Sequence, residues 1–260
     1  MNNLVLIHGA LGNAKEFDVI SSILSKRFNV FLYEIPHHGS KLESTIPFKI
    51  EALTDDLDQY ISKLGDCFIY GFSLGGYITL SLAQKGNQHI KGIVTQGTKL
   101  NWTPETSRKE TQTLDIEFLE TKAQPFYNYL LGLHGTYLPV LLGKTASFMI
   151  ELGASPSLSK ASVNEIPCPI RMIRGGRDKM VSKEETLEIC DSIQNSYYFE
   201  VPSFIHPLGF INPKHIARTI EVQVNSFSNK WAHTKYGDFA YKTLGELQDN
   251  KPVLLFLHEA

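Results

Sequence analysis

Ser73, Asp178 and His206 are the residues whose types and settings suit one chemistry together. A hydroxyl, a carboxylate and an imidazole make a nucleophile, its base and the group that orients that base, the equipment of acyl transfer. Ser73 sits within Gly71-Phe72-Ser73-Leu74-Gly75-Gly76. The apolar run Cys67-Phe68-Ile69-Tyr70 ahead of it reads as a buried strand, and Leu74, Ile78 and Leu82 behind it have helical spacing. A turn that tight leaves no room for side chains at Gly71 and Gly75 and pushes the hydroxyl of Ser73 out above the sheet edge. The Leu74 N–H then points into the same space, at the positive end of a new helix.

The other two residues belong to loops at strand ends. Residues 170–174 read as a strand leading into Gly175-Gly176-Arg177-Asp178, and residues 197–201 as a strand leading into Pro202-Ser203-Phe204-Ile205-His206-Pro207. The carboxyl ends of strands are where sites form in open parallel sheets. Leu4-Val5-Leu6-Ile7-His8-Gly9-Ala10-Leu11-Gly12 is a strand running into a glycine-containing loop. Gly9 lets that loop approach Ser73, so that the Ala10 N–H can join that of Leu74 as an oxyanion hole. Losing one such donor typically costs roughly 10²–10³ in turnover. His8 reads as structural, hydrogen-bonding loop backbone beneath the hole.

These segments resemble the α/β-hydrolases. The likeness rests on His8-Gly9, Pro36-His37-His38-Gly39-Ser40, the Ser73 turn, Asp178 and His206, and runs from Leu4 to about Phe227. It is greatest to small single-domain serine esterases, including carrier-protein methyl esterases. One departure is His37, where the family's loop has glycine. The resemblance implies a mainly parallel twisted sheet with helices on both faces and a helical cap. It also implies a serine hydrolase of small carboxylic esters or thioesters working without cofactor or metal. A carbon–carbon bond hydrolase, an acyltransferase and a slow-turnover ligand-binding receptor or pseudoenzyme remain open on the same residues. Haloalkane dehalogenases carry Asp at the Ser73 position, and hydroxynitrile lyases carry Lys where Pro207 stands.

The elements that must position these residues alternate along the chain. Residues 14–26 read as a helix and residues 29–34 as a strand. Ile50, Leu53, Leu57, Ile61 and Leu64 mark one apolar helix face, residues 92–96 a strand, and residues 213–227 a final helix. Such strand–helix units favour parallel pairing. The core is therefore expected over residues 1–98 and 164–227. Over residues 99–163 no clean strand signal occurs and aromatics accumulate, so the cap is placed there. Leu11, Trp102, Phe126, Tyr129, Phe148 and Pro207 are the expected substrate-binding residues, forming a pocket for a hydrophobic acyl or alkoxy group. Arg108 and Lys109 read as a solvated helix face, with anion binding as the alternative.

Residues 228–260 form an extension. Tyr236 to Glu246 resembles the hairpin that opens many α/β-hydrolases, and Lys251 to Ala260 a second copy of the strand before His8-Gly9-Ala10. Three explanations stand level: edge strands supplied by circular permutation, the start of a second hydrolase module, and a plain extension.

The 260 residues carry a formal charge of −2, no footprint for nucleic acid or an anionic membrane. No apolar run nears the roughly 18 residues needed to span a bilayer. The N-terminus enters a strand directly, without a targeting segment. Cys67, Cys168 and Cys190 lack metal spacing and read as free thiols of a reducing compartment. The expected setting is the cytoplasm, with a small-molecule ester or thioester as partner, no nucleic acid or membrane partner, and a monomeric or homodimeric state.

Overall fold

The computed structural model describes residues 1–228, 230–234 and 237–241. It falls into two compact units, residues 1–224 and 225–260. Six parallel strands form the sheet of the first unit: β1 (Asn2–Ile7), β2 (Phe28–Tyr33), β3 (Cys67–Phe72), β4 (Ile90–Gln96), β5 (Ile170–Gly175) and β6 (Ser196–Val201). Their order is β2-β1-β3-β4-β5-β6. The chain steps from β1 outward to β2, then crosses back to β3 on the other side of β1. The crevice outside the carboxyl ends of β1 and β3 is therefore the switch point where ligands bind in open sheets. Ala10 lies just past the end of β1, and Ser73 just past the end of β3.

The strands inside the sheet are near-continuous apolar runs because both of their faces are covered. Leu4 to Ile7, Ile69, Tyr70, Ile93 and Val94 are essentially inaccessible. Helix α1 (Asp18–Leu24) is preceded by a 3₁₀ turn, Ala14–Phe17, so the helix expected over residues 14–26 is divided. Helix α2 (Ile50–Leu64) buries the stripe Ile50, Leu53, Leu57 and Ile61, as its periodicity predicts. Helix α3 (Leu74–Gln84) is buried along nearly its whole length.

Between β4 and β5 the chain is helical: α4 (Pro104–Gln112), α5 (Ile116–Lys122), α6 (Gln124–His134), α7 (Leu138–Ala154) and the single turn α8 (Lys160–Val163). Thr103 begins α4 with a reciprocal capping pair to Thr106. Leu119, Leu130, Leu138, Leu141 and Leu142 of this insertion form their own apolar cluster, into which Leu11 inserts. Helix α9 (Lys183–Cys190) precedes β6, and α10 (Pro213–Ser226) follows it.

In the second unit, Lys230–Thr234 and Gly237–Tyr241 pair antiparallel as a two-stranded sheet. The strand expected over residues 251–260 lies outside the described residues. Cys67, Cys168 and Cys190 are buried and free, and burial pushes the thiols of Cys67 and Cys168 up to about 12. Among the described residues no helix is long and apolar enough to cross a membrane, and no cluster of His, Cys, Asp and Glu is set to hold a metal ion.

Candidate active site

Ser73 occupies a conformation that most side chains avoid, with φ 48° and ψ −113°. Two flanking glycines permit it. A β-carbon on Gly71 would lie 2.6 Å from the Gly76 backbone, and one on Gly75 would lie 2.6 Å from the carbonyl oxygens of Ile7 and His8. The turn is pinned from β4, since the Ser73 N–H donates to the Gln96 carbonyl at 2.8 Å and the Thr98 hydroxyl to the Ser73 carbonyl at 3.2 Å.

The three loops after β3, β5 and β6 bring Ser73, Asp178 and His206 into one hydrogen-bonded series. Ser73 Oγ lies 3.2 Å from His206 Nε2, and His206 Nδ1 lies 2.9 Å from Asp178 Oδ2. A carboxylate accepts only, so Nδ1 carries the proton and Nε2 turns its lone pair toward the serine. Asp178 Oδ1 accepts from the N–H groups of Met180 and Val181 at 2.8 and 2.9 Å. Burial works to raise the pKa of Asp178. The His206 contact and these two N–H groups outweigh it and hold the carboxyl below its ordinary value. Phe72 packs beside the imidazole, with 5.4 Å between ring centroids.

The loop after β1 is held by two histidines, one from the loop after β2 and one from α6. Leu11 takes the left-handed region, φ 62°. Its N–H donates to His38 Nε2 at 3.3 Å, and its carbonyl accepts from His134 Nε2 at 2.7 Å. His38 donates through Nδ1 to the Pro36 carbonyl at 3.0 Å, and burial, helped by nearby His8, keeps its pKa well below the ordinary value. It is thus the neutral tautomer that can accept from Leu11. Burial also lowers the pKa of His134, against the pull of the Leu11 carbonyl. A β-carbon on Gly9 would come within 3.1 Å of that of Ser73, so the loop does approach the serine closely.

His8 lies beneath this loop, fully buried. Its Nδ1 donates to the Gly9 carbonyl at 2.8 Å, and its Nε2 lies 3.1 Å from the Ile35 nitrogen and 2.9 Å from Glu34 Oε1. His37 adopts φ 69°, in the left-handed region that favours glycine. Its Nε2 lies 2.6 Å from the Ile46 carbonyl.

Two clefts meet at Ala10. The first contains Ser73, Leu74, Trp102 and Phe148, together with Lys99 and Met180. The second contains His206, Pro207, Leu11, Phe126 and Tyr129, together with Glu16. All six expected substrate-binding residues thus line one cleft or the other. Arg108 and Lys109 are exposed on α4.

The sequence reading did not single out Glu16, Lys99 or His134. Glu16 is the last residue of an Asn13-x-x-Glu16 capping box, which reads as a helix start. It also accepts from Tyr129 Oη at 2.5 Å, and burial raises its pKa despite that bond. Lys99 stands three residues past β4, on the same rim of the sheet as the other site loops. No local signal marks His134.

A family model for the alpha/beta hydrolase fold matches residues 2–115. A thermophilic esterase from Thermogutta terrifontis superposes with a TM-score of 0.68 at 19% identity, covering 87% of this chain and 90% of that one. The chain has the α/β-hydrolase fold. An enol-lactonase from Burkholderia xenovorans shares this hydrolase fold at a TM-score of 0.67 and 18% identity, covering 86% of this chain and 91% of the lactonase. In sequence, a pimeloyl-[acyl-carrier protein] methyl ester esterase of Chromobacterium violaceum is 24% identical over 228 residues, 78% of this chain and 87% of the relative. A protein of the same name from Nitrosospira multiformis is 26% identical over 126 residues, 46% of each chain.

Proposed function

We propose that the protein is a serine hydrolase that cleaves small carboxylic esters or thioesters through an acyl-enzyme. The observation that carries this reading is the series Ser73–His206–Asp178, with contacts of 3.2 and 2.9 Å, at the switch point of the sheet. The esterases among its relatives and fold neighbours support the choice of substrate class.

In this reading Ser73 Oγ attacks the carbonyl carbon while His206 Nε2 takes its proton. Asp178 keeps the imidazole in the correct tautomer and stabilises its positive charge. The N–H groups of Ala10 and Leu74 receive the oxyanion. His206 then gives the proton to the departing alcohol or thiol, and a water repeats the sequence to release the acid. The acyl group stays on Ser73, which assigns it to the cleft of Trp102 and Phe148. The leaving group takes its proton from His206, which assigns it to the cleft of Phe126 and Tyr129. The paired histidines on Leu11 serve to keep Ala10 in register with Ser73.

The test is turnover of short-chain esters and thioesters by the full chain and by Ser73→Ala. The expected loss is on the order of 10⁴- to 10⁶-fold in kcat. Hydrolysis that survives the substitution within tenfold would contradict the reading.

A further inference from the structure

We propose that Lys99 selects acyl groups whose far end carries an uncharged oxygen acceptor, such as a ketone, ester or amide carbonyl. The inference rests on the serine-hydrolase reading above and names the substrate class of its acyl cleft. Lys99 follows β4, its side chain is 8% exposed, and it lines the cleft that contains Ser73. Its neighbours there are mostly apolar, among them Trp102, Phe148, Met149 and Met180. Beside the hydroxyls of Ser73 and Tyr77, Lys99 is the charged donor of this lining.

Those donors are under-used. An ammonium has three N–H groups. One donates to the Met180 carbonyl at 3.1 Å, while Glu110 Oε1 and Glu185 Oε2 both stand off at 3.6 Å, beyond good hydrogen-bond length. Glu185 is held where it is by other bonds. Its Oε1 accepts from the Leu100 N–H at 3.1 Å and its Oε2 from the Ser182 N–H at 3.2 Å, the latter as part of the cap of α9. The Trp102 ring centroid lies 5.9 Å from Nζ and offers only its π face. A buried ammonium with spare donors gains from an oxygen that arrives with the acyl chain.

The local charge decides which oxygen. Lys99, Glu110 and Glu185 sum to one positive and two negative charges, a net of −1. A terminal carboxylate would add a third negative charge in a poorly solvated cleft, where repulsion is weakly screened. A carbonyl takes the same hydrogen bond without that repulsion. An acyl group ending in a methyl forgoes the bond altogether, and sites built around a polar contact discriminate strongly against analogues that lack it.

Ethyl hexanoate, ethyl 5-oxohexanoate and monoethyl glutarate share a leaving group and nearly the same acyl length, and their hydrolysis by the full chain provides the test. The expected order of kcat/KM is oxo ester, then hexanoate, then glutarate monoester. The first step should be about tenfold or more, the scale of a hydrogen bond to a charged group. Lys99→Met should bring the ratio of oxo ester to hexanoate close to one. Glu110→Gln should raise the glutarate monoester severalfold relative to the oxo ester. A wild-type preference for hexanoate or for glutarate overturns the assignment, as does an oxo-to-hexanoate ratio unchanged by Lys99→Met. Should Lys99→Met fail to fold, a glutarate-to-oxo ratio unmoved by Glu110→Gln overturns it instead. Protein that is labelled at Ser73 by a fluorophosphonate yet turns over none of the three esters refutes the role of Lys99 alone. Protein that is neither labelled nor active refutes the hydrolase reading with it.

Discussion

The two clefts that meet at Ala10 are unlike in chemistry. The one beside Ser73 is walled by Trp102, Phe148 and thioether side chains around one buried cation, Lys99. The one beside His206 is walled by Phe72, Phe126 and Tyr129 around a half-buried carboxyl, Glu16, which Tyr129 caps at 2.5 Å. Both draw on the helical insertion, but on different helices. Phe148 comes from α7, and Phe126 and Tyr129 come from α6. On the proposed reading, the two halves of an ester substrate would meet different walls, so that acyl and leaving-group preference should be separately alterable. What the clefts share is Ala10, with Ser73 in one and His206 in the other, and damage to the serine series or to the turn that holds Ala10 should fall on every substrate alike.

The largest effect is expected at that shared centre. Asp178→Asn should lower kcat about 10⁴-fold for all esters, whatever their acyl or leaving group, because the imidazole loses its tautomer. A loss confined to one class of acyl group would break the comparison. The same substitution has a pH signature in stability. The folded-state pKa of Asp178 lies below its ordinary value, so its contribution is fully present above the unfolded aspartate's pKa and fades as pH falls through the folded one. Urea midpoints of wild type and Asp178→Asn should therefore differ at pH 6 and converge on acidification below about pH 4.

Next in size is the clamp on Leu11. His134→Leu removes the donor to the Leu11 carbonyl and should lower kcat about ten- to a hundredfold with little change in KM, since an oxyanion donor acts mainly in the transition state. His134→Gln, whose amide can donate to the same carbonyl, should recover most of the loss. Equal losses in both variants, or a change in KM alone, would show that His134 only packs.

The smallest and most selective effects belong to the walls. Phe148→Ala should shift preference toward longer acyl chains by roughly tenfold and leave the ranking of leaving groups unchanged. Tyr129→Phe should alter the ranking of leaving groups by less than about tenfold and leave acyl preference alone. A matrix of four acyl groups against four leaving groups checks both variants, and crossed effects would merge the two clefts into one.

Much of this was legible in sequence because the signals are local. Parallel strands buried on both faces read as apolar runs, α2 as a periodic stripe, and the turn at Ser73 as glycines between strand and helix. The placing of Asp178 and His206 past strand ends followed from the same logic. The residues that escaped notice act over long separations. His134 meets Leu11 across 123 positions, Tyr129 meets Glu16 across 113, and Lys99 meets Met180 across 81. Nothing in their neighbourhoods encodes those meetings. The basic pair Arg108–Lys109 was conspicuous in sequence and is merely exposed, whereas the isolated Lys99 is the buried cation. His37 shows the converse: a non-glycine residue holds a left-handed turn, with its ring nitrogen on the Ile46 carbonyl.

The central claim is that the geometry around Ser73 activates its hydroxyl. Incubation of the full chain with a fluorophosphonate probe, alongside Ser73→Ala, followed by mapping of the adduct by mass spectrometry, tests it directly. The account predicts one adduct, on Ser73, absent from the variant. Folded wild-type protein that stays unlabelled, or that is labelled equally in Ser73→Ala, would contradict it.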